Sequence, residues 1–201
     1  MSIADRIRIA KIEVLSDNWY VLRKASFAFR RNDGSWQDQA REAYDRGNGA
    51  AIFLYDEARR TTILVRQFRY PAFANGHDDL LTEVPAGLLD DASPEERIRL
   101  EVEEETGYRI RDVHKVFEAF MSPGSVTEKL HFFIGRYSPA DRASAGGGAA
   151  DEGEDIEVLE LGFDQALGMI ASGEICDAKS IMLLQYAALH IFPPSGRPAP
   201  V

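Results

Sequence analysis

With 201 residues, 45% hydrophobic and 28% charged, the chain can bury a sizeable core as one globular domain or as a domain plus an appendage. Its formal net charge of -10 argues against a nucleic-acid binder, whose affinity comes largely from Lys and Arg neutralising phosphates; a small anionic ligand would need local arginines or a bridging divalent cation. No run approaches the roughly 18 apolar residues of a membrane span, and the opening MSIADRIRIAKIEV lacks the apolar core of a signal peptide, so a cytoplasmic location is expected.

In chain order, WYVLRKASFAFR reads as a strand, NDGS as a turn, and WQDQAREAYDRG as a second extended run, together an N-terminal β-hairpin unit over residues 1–46. AAIFLYD and TTILVRQFRY, rich in β-branched and aromatic residues, flank EARR as a second hairpin. LTEVPAG is a short strand leading into GLLDDASPEERIRLEVEEETGY, and DVHKVFEAF and EKLHFFIGRY are two further strands. GFDQALGMIASG and AKSIMLLQYAALHIF carry apolar residues at helical spacing. That order predicts an α/β fold, a mixed sheet sandwiched by helices, over residues 47–192. Asp141 to Asp155, DRASAGGGAADEGED, reads as a loop, and residues 193–201 as a proline-rich tail. The single cysteine, Cys176, forms no internal disulfide and has no Cys/His cluster that would make a zinc site.

The most informative stretch is the acidic helix. Ser93 has N-cap chemistry, Pro94 suits the first helical position, Glu96 completes a capping box, and Gly107 suits a left-handed stop, which predicts a helix from Pro94 to Thr106. At 100° per residue, Ile98 and Val102 define the buried stripe, with Glu105 and Glu101 within about 20° and 60° of Ile98. Those two carboxylates border the core one turn apart, near the negative end of the helix dipole, against two local rules. A hard divalent cation with oxygen ligands is the simplest compensation. A solvated acidic face explains Glu103 and Glu95 but not Glu101 and Glu105.

AGLLDDASPEERIRLEVEEETGY also resembles the signature of the Nudix hydrolases, G-x5-E-x7-R-E-U-x-E-E-x-G-U with U a bulky apolar residue. The match holds at Gly87, Glu101, Val102, Glu104, Glu105 and Gly107. One residue is missing between Gly87 and Ser93, so the first glutamate of the pattern is absent, and Leu100 stands where an arginine is usual. Arg97, one turn before Glu101, is the expected substitute for that arginine. LSDNWY, REAYDRGNGA, LVRQFR, MSPGSVTE, AGGGAADEGEDIEVLEL and GEICDAKS extend the resemblance to the GDP-mannose hydrolase branch, near the ADP-ribose pyrophosphatases, over most of the chain.

The resemblance implies an α/β/α Nudix sandwich whose N-terminal strands are exchanged across a homodimer. It implies Mg²⁺, with Mn²⁺ as an alternative, two or three ions held by the Ala86 carbonyl, Glu101, Glu105 and Glu154. Glu104 belongs to the same catalytic set, and Glu154 or Glu128 is the expected general base. Trp19 from the partner subunit, Arg41, Glu42, Arg69, Ala86, Gly87, Leu88, Glu128 and Lys179 are the implied substrate contacts. Each has a plainer reading from the residues alone: Trp19 as core, Arg41 and Glu42 as strand-surface charges, Arg69 paired with a surface acid, Glu128 merely starting a strand, Lys179 as a solvated first-turn residue. The glycine-rich loop then becomes a lid that delivers Glu154. The implied reaction is hydrolysis of GDP-mannose to GMP and mannose 1-phosphate. ADP-ribose hydrolysis is the alternative within the class, and a non-catalytic nucleotide-sugar sensor the alternative outside it. No nucleic-acid or membrane partner is expected.

Overall fold

The computed structural model describes residues 2–149 and 153–193. Contacts divide the chain into two compact units, Met1–Asn48 with Phe120–Lys129, and Gly49–Ala119 with Leu130–Val201.

The first unit is a three-stranded antiparallel sheet in the order β1 (Ile7–Asp17), β2 (Val21–Arg30), β3 (Trp36–Asp45). The expected hairpin is its β2–β3 half, paired without interruption from Val21↔Asp45 to Arg30↔Trp36. Its turn needs a left-handed residue, supplied by Gly34 at φ 88°, and is fixed by Asp33, which accepts hydrogen bonds from the Ser35 N–H (2.9 Å) and hydroxyl (2.6 Å). The sequence reading missed β1. Its register with β2 shifts between Ile9 and Lys11 and again between Val14 and Ser16, so the two-residue alternation that marks a strand is broken twice. The segment after Phe120 joins β3 through the Tyr44 N–H to the Ser125 carbonyl (2.8 Å) and the Thr127 N–H to the Tyr44 carbonyl (3.1 Å).

The second unit is built on β4 (Gly49–Asp56) and β5 (Thr61–Gln67), with β6 (Leu81–Glu83), β7 (Ala86–Leu88), β8 (Val113–Phe120), β9 (Lys129–Arg136) and β10 (Glu157–Gly162). The sheet runs β10-β5-β4-β9-β8, with β6 on β5 and β7 on β4; β4 and β9 are parallel, whereas β4–β5, β5–β10, β5–β6 and β4–β7 are antiparallel. It is a mixed sheet, as expected. β10 and the short α1 (Tyr70–Ala74) were not foreseen.

Every residue of β4 is buried, because both faces of the sheet are covered. Ala50, Ile52 and Leu54 pack with Ile98 and Val102 of the acidic helix, together with Ile63 and Phe133. The alternate residues face the other side, where Phe53 meets Phe163 and Tyr55 meets Phe192. α3 (Phe163–Ser172) and α4 (Ala178–His190) cover that face. The unit is therefore an α/β/α sandwich.

The acidic helix starts as its sequence predicts. The Ser93 hydroxyl accepts from the Glu96 N–H (3.3 Å) and Glu96 returns a bond to the Ser93 N–H (3.3 Å). Its last turn differs from expectation: α2 (Pro94–Glu101) passes into a π-helical turn, Val102–Thr106, before Gly107 ends it at φ 77°. The wider turn shifts side chains around the axis at the point where the glutamates cluster.

Candidate active site

In the second unit the acidic helix, β7 and the glycine-rich loop meet around the carboxylates. β7 runs beside the acidic helix so closely that a Cβ on Gly87 would stand 1.8 Å from Glu101 Oε1. Only glycine permits that approach. Glu101 is 5% exposed and Glu105 1%. Arg97 Nη2 lies 2.5 Å from Glu101 Oε1, while its Nε donates to the Leu88 carbonyl at 3.0 Å, so one guanidinium ties the helix carboxylate to the strand. The predicted pairing of Arg97 with Glu101 is present. The Ala86 N–H donates to Glu105 Oε2 at 3.2 Å. Burial pushes the Glu101 carboxyl up to about 7; Arg97 opposes the shift, and Glu104 and Glu154 add to it. Glu105 is raised well above the ordinary range by burial, then by the charges of Glu101 and Glu154.

The glycine-rich loop lies along the end of this helix. Gly147 N–H donates to the Glu105 carbonyl (2.9 Å), Gly148 N–H to the Glu104 carbonyl (3.2 Å), and Ala143 N–H to the Gly107 carbonyl (2.7 Å). The loop thus supplies donors for carbonyls that a helix end leaves unpaired. A Cβ on Gly146 would fall 2.5 Å from the Glu105 carbonyl oxygen, which explains a glycine at this close approach. Beyond the undescribed residues 150–152, Glu154 Oε2 accepts from the Ala149 N–H at 3.0 Å. Its charge acts on both Glu101 and Glu105.

Arg69 and Lys179 meet at a residue that the sequence reading overlooked. Glu83, at the end of β6, is 3% exposed. It accepts from Arg69 Nε at 3.0 Å and from Lys179 Nζ at 2.7 Å. Arg69 therefore pairs with a buried acid rather than a surface one, and Lys179 is largely buried rather than solvated, its side chain 12% exposed. The signal in the sequence was weak: one glutamate between Thr82 and Val84, with partners 14 and 96 positions away.

The remaining predicted contacts lie in the first unit. Arg41 and Glu42 line a groove with Phe120, Pro123 and Ser125, and Glu128 stands 3.5 Å from Arg46 Nε. Trp19 is 80% exposed and rests edge-on against Tyr20, so it is not core.

The family model for the NUDIX domain matches residues 45–181. The chain belongs to the Nudix hydrolase family. The model of the GDP-mannose pyrophosphatase NudK N-terminal domain matches residues 6–44, which hold β1, β2 and all but the last residue of β3. Curated relatives named GDP-mannose pyrophosphatase include one from Klebsiella pneumoniae subsp. pneumoniae, 54% identical over 90% of each chain. Another from Pectobacterium atrosepticum is 52% identical over 92% of this chain and 95% of its own. A crystal structure of an ADP compounds hydrolase aligns with a TM-score of 0.68 over 90% of this chain and 91% of that one; at 16% identity the likeness is one of fold.

Nudix hydrolases generally use divalent metal ions. As the side chains stand, no group of three or more His, Cys, Asp or Glu among the described residues is disposed to hold one. The chemistry of the donor set nevertheless fits. Glu101 and Glu105 are buried, Glu101 is also under the charges of Glu104 and Glu154 and Glu105 under those of Glu101 and Glu154, and a hard cation relieves both burial and repulsion at once. Among the described residues no helix is long and apolar enough to cross a membrane.

Proposed function

We propose that this Nudix hydrolase cleaves the diphosphate of GDP-mannose, consuming one water and releasing GMP and mannose 1-phosphate, with Mg²⁺ or Mn²⁺ as the metal. The observation that carries the reading is identity of 50 to 54% to GDP-mannose pyrophosphatases over 90% or more of the chain. The residues supply the chemistry. Glu101, Glu105, Glu154 and the Ala86 carbonyl are the proposed metal ligands, and Glu104 adds negative charge beside them. The bound metal would lower the pKa of water and neutralise diphosphate charge. Arg97 holds Glu101 in place, Gly87 and Leu88 bring the strand against it, and Arg69 and Lys179 take substrate oxygens by charge-assisted hydrogen bonds. Glu154 or Glu128 accepts the water proton.

Residues 1–46 serve dimerisation and substrate contact in this reading, residues 47–192 form the hydrolase domain, and residues 193–201 are a tail. All but the first residue of that tail fall outside the described residues. Trp19, Arg41 and Glu42 complete the substrate site, Trp19 across a homodimer. The protein works in the cytoplasm.

The test is release of mononucleotide from GDP-mannose and from ADP-ribose, each with Mg²⁺ and with EDTA. GMP released faster than AMP, and only with metal, is the expected result. Preferred AMP release would replace the substrate and keep the chemistry. Turnover that persists in EDTA would remove the metal from the mechanism.

A further inference from the structure

Glu83 does more than fill a strand position. Its two oxygens are divided between cations: Oε1 accepts from Lys179 at 2.7 Å, and Oε2 lies 3.0 Å from Arg69 Nε and 2.9 Å from Arg69 Nη2. Its surroundings are tied together. The next residue of the chain, Val84, donates its N–H to the Ser180 hydroxyl at 2.8 Å, so Glu83–Lys179 and Val84–Ser180 tie the strand to the start of α4 at consecutive positions. Lys179 is flanked on its other side by Asp177 at 3.1 Å, and Asp177 is also the N-cap of α4.

Such an arrangement is an inefficient way to gain stability. Removing three charged groups from water offsets most of what their attraction returns, and apolar packing of the same volume often does as well. What a carboxylate between two cations does achieve is a fixed spacing and direction for both. Here direction matters, because Arg69 also feels the charges of Glu105 and Glu154. An arginine released from Glu83 would be drawn to those carboxylates and would cancel the negative charge a divalent cation requires.

We propose that Glu83 is a positioning residue: it aims Arg69 and Lys179 at the substrate's phosphate oxygens and holds Arg69 off the metal-binding carboxylates. The proposal rests on the reading of Arg69 and Lys179 as substrate contacts. One buried carboxylate thereby separates two sets of charges, cations for the diphosphate and glutamates for the metal.

The test is E83Q, which keeps the shape and removes the charge. Steady-state kinetics on GDP-mannose should show KM raised at least tenfold. Mn²⁺ titrated calorimetrically into the nucleotide-free protein should bind several-fold more weakly. In E83Q/R69Q the Mn²⁺ affinity should return to that of R69Q alone, while KM stays high. A merely structural Glu83 would lower kcat in proportion to the folded fraction seen by circular dichroism and leave KM and Mn²⁺ affinity at wild-type values, which would overturn the proposal. Should E83Q not fold, E83D keeps the charge but shortens its reach, and the same shift in KM and Mn²⁺ affinity is expected; unchanged values in a folded E83D would equally refute it. Absence of GDP-mannose turnover by the wild-type protein would refute the substrate reading, and the Mn²⁺ titrations would then decide the role of Glu83 by themselves.

Discussion

Gly87→Ala separates the site from the fold. The added Cβ would lie 1.8 Å from Glu101 Oε1 and 2.1 Å from Cδ, whereas real Cβ contacts essentially never fall below 3.0 Å, so the carboxylate must retreat by more than 1 Å. The retreat breaks the 2.5 Å contact with Arg97 and moves an oxygen of the proposed metal ligand. Misplacement of about 1 Å at a reacting centre costs roughly 100-fold in rate. Overpacking of this kind costs about 1–3 kcal/mol of stability. The expected variant is folded, with a melting temperature lowered by a few degrees for a domain of this size, about 2–4 °C per kcal/mol. Its kcat at saturating Mg²⁺ should be about 100-fold lower, and half-saturation by Mg²⁺ should need more metal. Wild-type kcat and Mg²⁺ dependence in a folded G87A protein would refute the close packing of strand and carboxylate as the basis of the site.

Arg97→Ala should weaken Mn²⁺ binding about tenfold, because Glu101 loses the guanidinium that orients it; unchanged affinity measured by calorimetry would show that Arg97 does not replace the arginine absent at Leu100. Asp56 caps the β4–β5 turn by accepting from the Ala58 and Arg59 N–H groups, each at 3.0 Å, and the Arg59 side chain holds its carboxyl below the usual range, against the effect of burial. A depressed carboxyl stabilises the fold above its unfolded pKa, about 3.9, and loses that contribution as pH falls through the folded value. Asp56→Asn should therefore cost about 1–2 kcal/mol at neutral pH in urea unfolding, a difference that shrinks below about pH 4; a constant difference across that range would count against the assignment. Ile98→Ala empties a fully buried position under β4 and should cost about 2–5 kcal/mol in the same assay, with a loss below 1 kcal/mol contradicting the packing described.

How far the sequence disclosed the structure depended on how local each cause was. The capping box at Ser93, the stop at Gly107 and the burial of Glu101 and Glu105 follow from residues at fixed spacing along one helix, and all were legible. β1 was not, because its two register shifts break the alternation of Ile7, Ile9, Ile12 and Val14. β10 was hidden by the acidic, glycine-rich stretch that leads into it. The π-helical turn at Val102–Thr106 leaves no mark on a pattern read at 100° per residue. Glu83 was invisible for the deepest reason: its importance lies in Arg69 and Lys179, which only the fold brings to it. The sequence made the glycine-rich loop a lid through its resemblance, but the bonds from the Gly147 and Gly148 N–H groups to the Glu105 and Glu104 carbonyls had no local mark.

The central claim is that buried glutamates of the acidic helix hold the metal that hydrolyses a nucleotide sugar. Its most direct test is GMP release from GDP-mannose, titrated with Mg²⁺, by the wild-type, Glu101→Gln and Glu105→Gln proteins, each shown to be folded. The account predicts metal-dependent release by the wild type and its loss by at least 100-fold in both variants, since each substitution removes the negative charge the cation needs. Wild-type turnover in either variant would contradict it.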